Sequence, residues 1–358
     1  MPLKRPHTKT RHGCRHCRSR RVRCDLHHPA CGNCTKRQVK CPYLDDSPPV
    51  VVQHIADRTA WQTDLRLMHQ YNTSTCFTMA NNESLNTVWQ IQVPKLAFNH
   101  DFLLSGTLAL AALHRSSLAT TSSSESQFLV AAARHHGQRA IQSYIPALRS
   151  ATDQNCHAIF AFSIILASYH LATIRYDHQG ESSSDLLDRL ISVSRLLKGS
   201  ITIAYRYRYQ LHIGPLSAMM GMGLSSTDLF VLPDGPRQSL NEVQYDALHT
   251  PDLPSARLDI CLPALNSLAH LFRPVPDLAE IIAWLAFGSE EFSGLIASKD
   301  PLALVLLAHY AAALDMNIQV WHLKGLGTKM LDAIMKVIDP QYAKYLDWPV
   351  WTLSFVEG

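Results

Sequence analysis

The chain has 358 residues, 47 % of them hydrophobic and 17 % charged, which excludes a disordered polypeptide and leaves room for a small module plus a large domain. Its net charge of +4 hides a division: residues 1–44 hold twelve Lys and Arg against the single acid Asp25, whereas the remainder holds 21 basic and 28 acidic residues. A basic head on a mildly acidic body predicts a polyanion as the partner of the head and writes no such partner into the rest.

The N-terminus is rich in Lys, Arg and His with no apolar stretch behind it, so no signal peptide and a reducing, intracellular compartment are expected. Lys4, Arg5, Lys9 and Arg11 suit a nuclear import signal, and the expected location is the nucleus. Six of the nine cysteines fall between positions 14 and 41, while Cys76, Cys156 and Cys261 lie singly in apolar segments. Under reducing conditions the clustered thiols read as metal ligands and not as disulfides.

Their spacing is Cys14-x2-Cys17-x6-Cys24-x6-Cys31-x2-Cys34-x6-Cys41, an internal repeat. CRHCRSRRVRC and CGNCTKRQVKC share three cysteines, an Arg (Arg20, Arg37), a Val (Val22, Val39) and a base before the last Cys. Each half offers three thiolates, one short of the four that tetrahedral zinc requires. Six sulfurs satisfy two ions only if two of them bridge, which predicts a binuclear cluster with two Zn²⁺ per chain. The alternative is a single four-ligand site with two spare thiols. Val22, Leu26 and Val39 are the only sizeable aliphatics of the stretch, so its folding energy must come from metal, roughly 10–16 kcal/mol for structural zinc.

GCRHCRSRRVRCDLHHPACGNCTKRQVKCPY resembles the fungal Zn2Cys6 binuclear zinc-cluster DNA-binding domain, down to Asp25 after the third Cys and Pro29 in the connecting loop. The resemblance implies that Cys14 and Cys31 bridge, that Cys17 and Cys24 complete one ion, and that Cys34 and Cys41 complete the other. It also implies double-stranded DNA with CGG-like triplets as the partner. The first repeat carries Arg15, Arg18, Arg20, Arg21 and Arg23, against Lys36, Arg37 and Lys40 in the second, so the first helix should enter the major groove. An arginine fork can donate two hydrogen bonds to one guanine. By motif position Arg20 and Arg21 face bases, although similar domains often carry lysine at position 21. Arg15, Arg18, Arg23, Lys36 and Arg37 should meet phosphates, which fix register.

Residues 45–54 read as a linker, with Asp45, Asp46, Ser47, Pro48 and Pro49 as turn and breaker residues. No heptad pattern persists for three repeats after it. A zipper is therefore not expected, and a homodimer would need another surface. From 55 to 358 an all-α regulatory domain is predicted, because apolar residues recur at three and four spacing over 61–71, 102–113, 128–144, 157–174 and 186–197. A further helix starts with Asp300 as N-cap and Pro301 at N1 and runs to about 316, and 321–338 follows. Loops are expected over 116–126, 177–184 and the Pro-dotted stretch 233–276. The apolar stretches 158–174, 102–113 and 302–314 are too short, or too interrupted by Ser and His, to be read as membrane spans.

The body is also similar to the fungal sterol-uptake regulators and their zinc-cluster relatives, through DLRLMHQYNTSTC, VPKLAFNHDFLLSGTLALAALH, NCHAIFAFSIILASYHLA, LLKGSITIAY with IGPL, and PLALVLLAHYAAAL. That resemblance implies a helical regulatory domain, a hydrophobic small-molecule ligand and contact with the transcription machinery, with the ligand-binding residues unknown. His100, His114, His170 and His309 lie beside apolar runs and read as core rather than ligand contacts. Sulfur-saturated zinc leaves no open position for water, and the Gly221-Met-Gly223 and Gly325-Leu-Gly327 pairs lack a phosphate-loop context, so no enzyme is expected. The expected function is a DNA-binding transcription regulator, an activator of a biosynthetic, secondary-metabolite gene cluster. The alternatives are a sterol-responsive regulator of lipid and sterol genes and a repressor.

Overall fold

Two very short helices, α1 (Arg15–Ser19) and α2 (Gly32–Thr35), carry the head, and a third, α3 (Val50–Thr73), is the first long one. They belong to a computed structural model that describes residues 13–27, 30–42, 50–120, 123–174, 176, 183–221, 232–249, 255–273, 278–317 and 320–355. The expected import residues Lys4, Arg5, Lys9 and Arg11, with Pro29, lie outside the described residues, as do 45–49 of the expected linker; positions 50–54 begin α3. The chain divides into two compact units, Met1–Leu65 and Arg66–Gly358. No strand occurs among the described residues.

In the larger unit, Leu67 and Tyr71 of α3 are buried, and two short helices, α4 (Glu83–Thr87) and α5 (Val93–Ala97), follow. The first core is then built by α6 (Asp101–Leu118), α7 (Ser124–Arg149) and α8 (Cys156–Thr173), with α6 packed on both others. A Cβ on Gly106 would stand 2.5 Å from the Phe162 ring, so glycine is what lets α6 and α8 approach so closely. The predicted loop at 116–126 is shorter than expected, since α6 runs on to Leu118 and Ser123 caps α7 through the amide of Ser126.

α9 (Ser183–Arg206) and α10 (Arg208–Ile213) lead into a second core. Residues 177–182 of the predicted polar loop are outside the described residues. The Pro-dotted stretch 233–276 is a correction: it holds α11 (Asp234–His249) and α12 (Ser255–His270), with only 250–254 and 274–277 outside the described residues. Pro236 stands in the first turn of α11, where a missing N–H costs nothing, and Leu240, Val243 and Ala247 form a buried stripe at helical spacing. Pro263 lies within α12, whose buried Cys261, Ala264, Leu265 and Leu268 hold it to the core.

α13 (Leu278–Phe287), α14 (Glu290–Ala297) and α15 (Pro301–Asn317) complete that core with α16 (Leu326–Met335) and α17 (Asp347–Ser354). The Asp300 carboxylate accepts from the amides of Leu302 and Ala303 at 3.1 and 3.2 Å and pairs with Arg257 at 2.7 Å, as its N-cap role requires. The helix expected over 321–338 is shorter. Gly325 takes φ +73°, which stops a helix from running through it, and Asp315 accepts from the amides of Gly327 and Thr328 at 3.1 and 2.9 Å to start α16.

α8 and α15 are apolar on every side and therefore central. α8 serves both cores, Ile159 and Phe162 in the first, Ala167 and Leu171 in the second. By length and composition α8 could cross a membrane, yet 72 % of it is buried inside the body, where each fully buried Leu or Ile contributes roughly 1.5–3 kcal/mol.

Candidate zinc and nucleic-acid interface

Among its described residues the head has no apolar core. Val22, Leu26 and Val39 are all exposed, and its buried cluster consists of the six cysteines alone, with Ala30 against them. Two sets of four sulfurs, Cys14–Cys17–Cys24–Cys31 and Cys14–Cys31–Cys34–Cys41, each lie within 4.8 Å of one another. Cys14 and Cys31 belong to both sets, 3.7 Å apart, as bridging ligands must. Burial and neighbouring sulfurs push the Cys34 thiol up to about 12 and raise Cys17, and burial raises Cys31. Six thiols crowded together are a good donor set for a thiophilic cation, which displaces their protons. The module holds two zinc ions, and their sulfur-saturated sites are structural.

The repeat is legible in the backbone, with an offset of seventeen residues. Cys14 and Cys31 each receive an amide from four residues on, Arg18 at 3.0 Å and Thr35 at 3.0 Å. Each short helix then closes in the same turn: Arg21 donates to the Arg18 carbonyl and Val22 to that of Cys17, while Gln38 donates to Thr35 and Val39 to Cys34. This is the Schellman pattern, and the residue in its left-handed position is Arg21 (φ 56°) in one half and Gln38 (φ 52°) in the other. Glycine usually stands there, so each half bears roughly 1–2 kcal/mol of strain that the cluster holds in place.

The halves are also tied directly. The Asp25 carboxylate accepts from the Gly32 amide at 2.9 Å, which lowers its pKa, and Asn33 donates to the Arg23 carbonyl at 2.7 Å. A Cβ on Gly32 would come 2.6 Å from Asp25 Oδ2.

Arg15 and Arg18 lie on α1, Arg20 is its C-cap, Arg21 occupies the left-handed turn and Arg23 follows; Lys36 and Arg37 hold the matching turn of the second half. All seven are exposed. Helix α1 is shorter than the turn and a half that six residues between cysteines allow, so the pair Arg20 and Arg21 stands beyond its last residue rather than along its face.

In the body, the four histidines read as core have different fates. His309 is wholly buried between the Ser239 hydroxyl (2.8 Å) and the Val305 carbonyl (2.8 Å), and His114 bonds Thr75 at 3.0 Å and stacks on Trp321. His100 is half-buried, and His170 lines a cavity of about 330 Å³. His322, not singled out from the sequence, is a buried histidine neither of whose ring nitrogens has a hydrogen-bond partner among the described residues, and no local pattern marked it.

A sulfur-locked, arginine-faced head followed by a large helical body defines a class, the zinc-cluster DNA-binding transcription regulators. Residues 12–49 match the fungal Zn(2)-Cys(6) binuclear cluster domain, and residues 66–281, more than half of the chain, match the fungal specific transcription factor domain. The chain belongs to the fungal Zn(2)-Cys(6) transcription factors. It is 22 % identical, over a 434-residue alignment, to a Zn(2)-C6 fungal-type transcription factor of Gibberella zeae, spanning 98 % of this chain and 87 % of that protein. It is 29 % identical over 219 residues to the Zn(2)-C6 fungal-type transcription factor afumD of Aspergillus fumigatus, covering 55 % of this chain and 54 % of the relative. Similarity to Sterol uptake control protein 2 of Candida albicans reaches 52 % but over 40 residues only, 11 % of this chain and 6 % of that protein.

Proposed function

We propose that this chain is a nuclear, pathway-specific activator that reads a CGG-like triplet with the turn after α1 and controls a biosynthetic, secondary-metabolite gene cluster. The observation that carries the DNA half of this reading is the unequal dressing of two equivalent backbones. Arg18, Arg20, Arg21 and Arg23 crowd one turn, and Thr35, Arg37, Gln38 and Lys40 occupy the same places in the other. Arg20 and Arg21 meet base edges; Arg15, Arg18, Arg23, Lys36 and Arg37 meet phosphates. The segments 1–44, 45–54 and 55–358 then serve as reader, linker and regulatory body, and the body acts without catalysis by engaging the transcription machinery.

The pathway assignment rests on the compact size of the chain, a size at which zinc-cluster relatives commonly serve one pathway. The likeness to the sterol uptake control protein is confined to 40 residues, which disfavours the sterol-responsive alternative without bearing on the repressor one.

Selection of bound sites from random duplexes by the zinc-loaded full chain tests the reading. Two zincs per chain with enrichment of a CGG-like triplet supports it; a bound chain that selects no sequence sinks it. Arg21→Ala should weaken the selected site by about 1–3 kcal/mol and random DNA much less, whereas equal loss on both would assign Arg21 to a phosphate. A reporter driven by the selected site, with and without the gene, separates activation from repression.

A further inference from the structure

The body contains a second built site that the DNA reading leaves unused. Between the C-terminal end of α6, the start of α7, the end of α8 and the turn before α16 lies a cavity of about 300 Å³. Its apolar wall is Leu171, Ile174 and Leu326, and Ser116 and Ser126, whose hydroxyls bond each other at 2.9 Å, form another side.

His322 lines this cavity, is only 4 % exposed, and among the described residues neither of its ring nitrogens has a hydrogen-bond partner. A buried imidazole is ordinarily satisfied, as His309 is on both nitrogens, so the unused donor and acceptor at 322 point to a ligand. Burial and the neighbouring His114 hold the ring neutral, so it presents one N–H and one lone pair rather than a charge.

The charge comes from elsewhere. Lys324 and Lys329 stand at the exposed edge, and no Asp or Glu lines the cavity among the described residues. Lys329 is engaged with the Ile174 carbonyl at 3.3 Å, whereas Lys324 forms no ion pair among the described residues. The first amides of α16 are taken by the Asp315 carboxylate, so the helix end does not supply the anion contact.

We infer that this cavity binds a small monocarboxylic acid with an apolar skeleton, its carboxylate held by Lys324 and the His322 N–H and its skeleton laid against Leu171, Ile174 and Leu326. The Lys324 ammonium and the His322 N–H offer one donor to each oxygen of a carboxylate, and no arginine fork, which suits phosphate, lines the cavity among the described residues. The volume admits about ten non-hydrogen atoms, which is small for a sterol. The neighbouring cavity of about 330 Å³ is different in kind, because its Arg189 already donates to Thr173 at 3.1 Å.

The test uses the zinc-loaded full chain with benzoate and octanoate as probes, benzyl alcohol and octanol as uncharged counterparts, and ergosterol as the bulky alternative. Binding is read by ligand-observed NMR and by the rise in melting temperature with probe concentration. The expected result is saturable binding of at least one acid, no binding of its alcohol, and about tenfold weaker binding in Lys324→Gln, whose unliganded melting temperature stays unchanged. His322→Phe should fill the cavity and abolish binding; if that variant fails to fold, the Lys324→Gln arm decides. Binding of neither acid, equal binding of acid and alcohol, indifference to Lys324→Gln, or binding of ergosterol alone each overturns the inference. No step passes through DNA, so failure here leaves the regulator reading untouched.

Discussion

The head and the body of this protein solve folding in opposite ways. Among the described residues of the head, Val22, Leu26 and Val39 are exposed and the buried cluster is sulfur; in the body α15 alone buries Leu302, Leu304, Leu306, Leu307 and Leu314. One unit is held by a few strong, chemically specific bonds and the other by many weak, interchangeable contacts. Reagents and substitutions should therefore separate them cleanly. Five of the six tryptophans lie between 89 and 351, in the larger unit, and none lies within residues 1–44, so tryptophan fluorescence chiefly reports the body while zinc release reports the head.

The largest separation should come from metal removal. A strong chelator, or Cys31→Ser at a bridging position, takes away most of the roughly 10–16 kcal/mol that zinc supplies. The head unfolds and DNA affinity disappears, while the fluorescence melt of the body stays put. A coincident shift of both signals would show that the two units do not fold separately.

Next in size is a core truncation on the other side of the comparison. Leu304→Ala, at a wholly buried position of α15, should lower the denaturant stability of the body by about 2–5 kcal/mol while two zincs remain bound.

Acid should discriminate further within the body. Burial holds His309 and His114 at about 4 and His322 at about 3, against 6.5 for a free imidazole. Between those values the unfolded chain binds protons that the folded chain refuses, so stability rises with pH in that window. The contribution is complete above about pH 6.5 and is lost as the pH falls toward 4, by about 3 kcal/mol for His309. Fluorescence melts across this range should fall steeply for the natural chain and less steeply for His309→Gln.

The smallest effect belongs to the turns of the head. Gln38→Gly relieves a left-handed residue and should strengthen the module by about 0.5–1 kcal/mol, seen as tighter zinc retention against a competitor, with DNA affinity unchanged. The same change at Arg21 should also tighten the module and yet weaken the specific site. A loss of DNA affinity in Gln38→Gly would show that the left-handed geometry at Gln38 is needed to hold Lys36 and Arg37 on their phosphates.

What the sequence made legible follows the same division. Cysteine spacing is a strong local code because each ligand must be a thiolate at a fixed reach, so a six-cysteine, two-zinc module could be read from residues 14–41. Helices α6, α7, α8, α9 and α15 were readable from long apolar periodicity. α11 and α12 were not, because prolines that helices accept in a first turn or under tertiary restraint look like breakers in isolation. Gly325 and Asp315 shorten the helix before Leu326, and their cooperation across ten residues has no sequence signature. His322 was invisible for a related reason: an unsatisfied ring is a property of what does not surround it.

The shared sulfurs Cys14 and Cys31 give the head an arithmetic of their own. Neither half contains a complete site, so no half can be inherited, grafted or deleted as a smaller finger. The first ion to bind also fixes two of the four ligands of the second. Substoichiometric metal should then sort chains into empty and doubly loaded populations, so that a cell short of zinc would own fewer working copies and not a larger number of impaired ones.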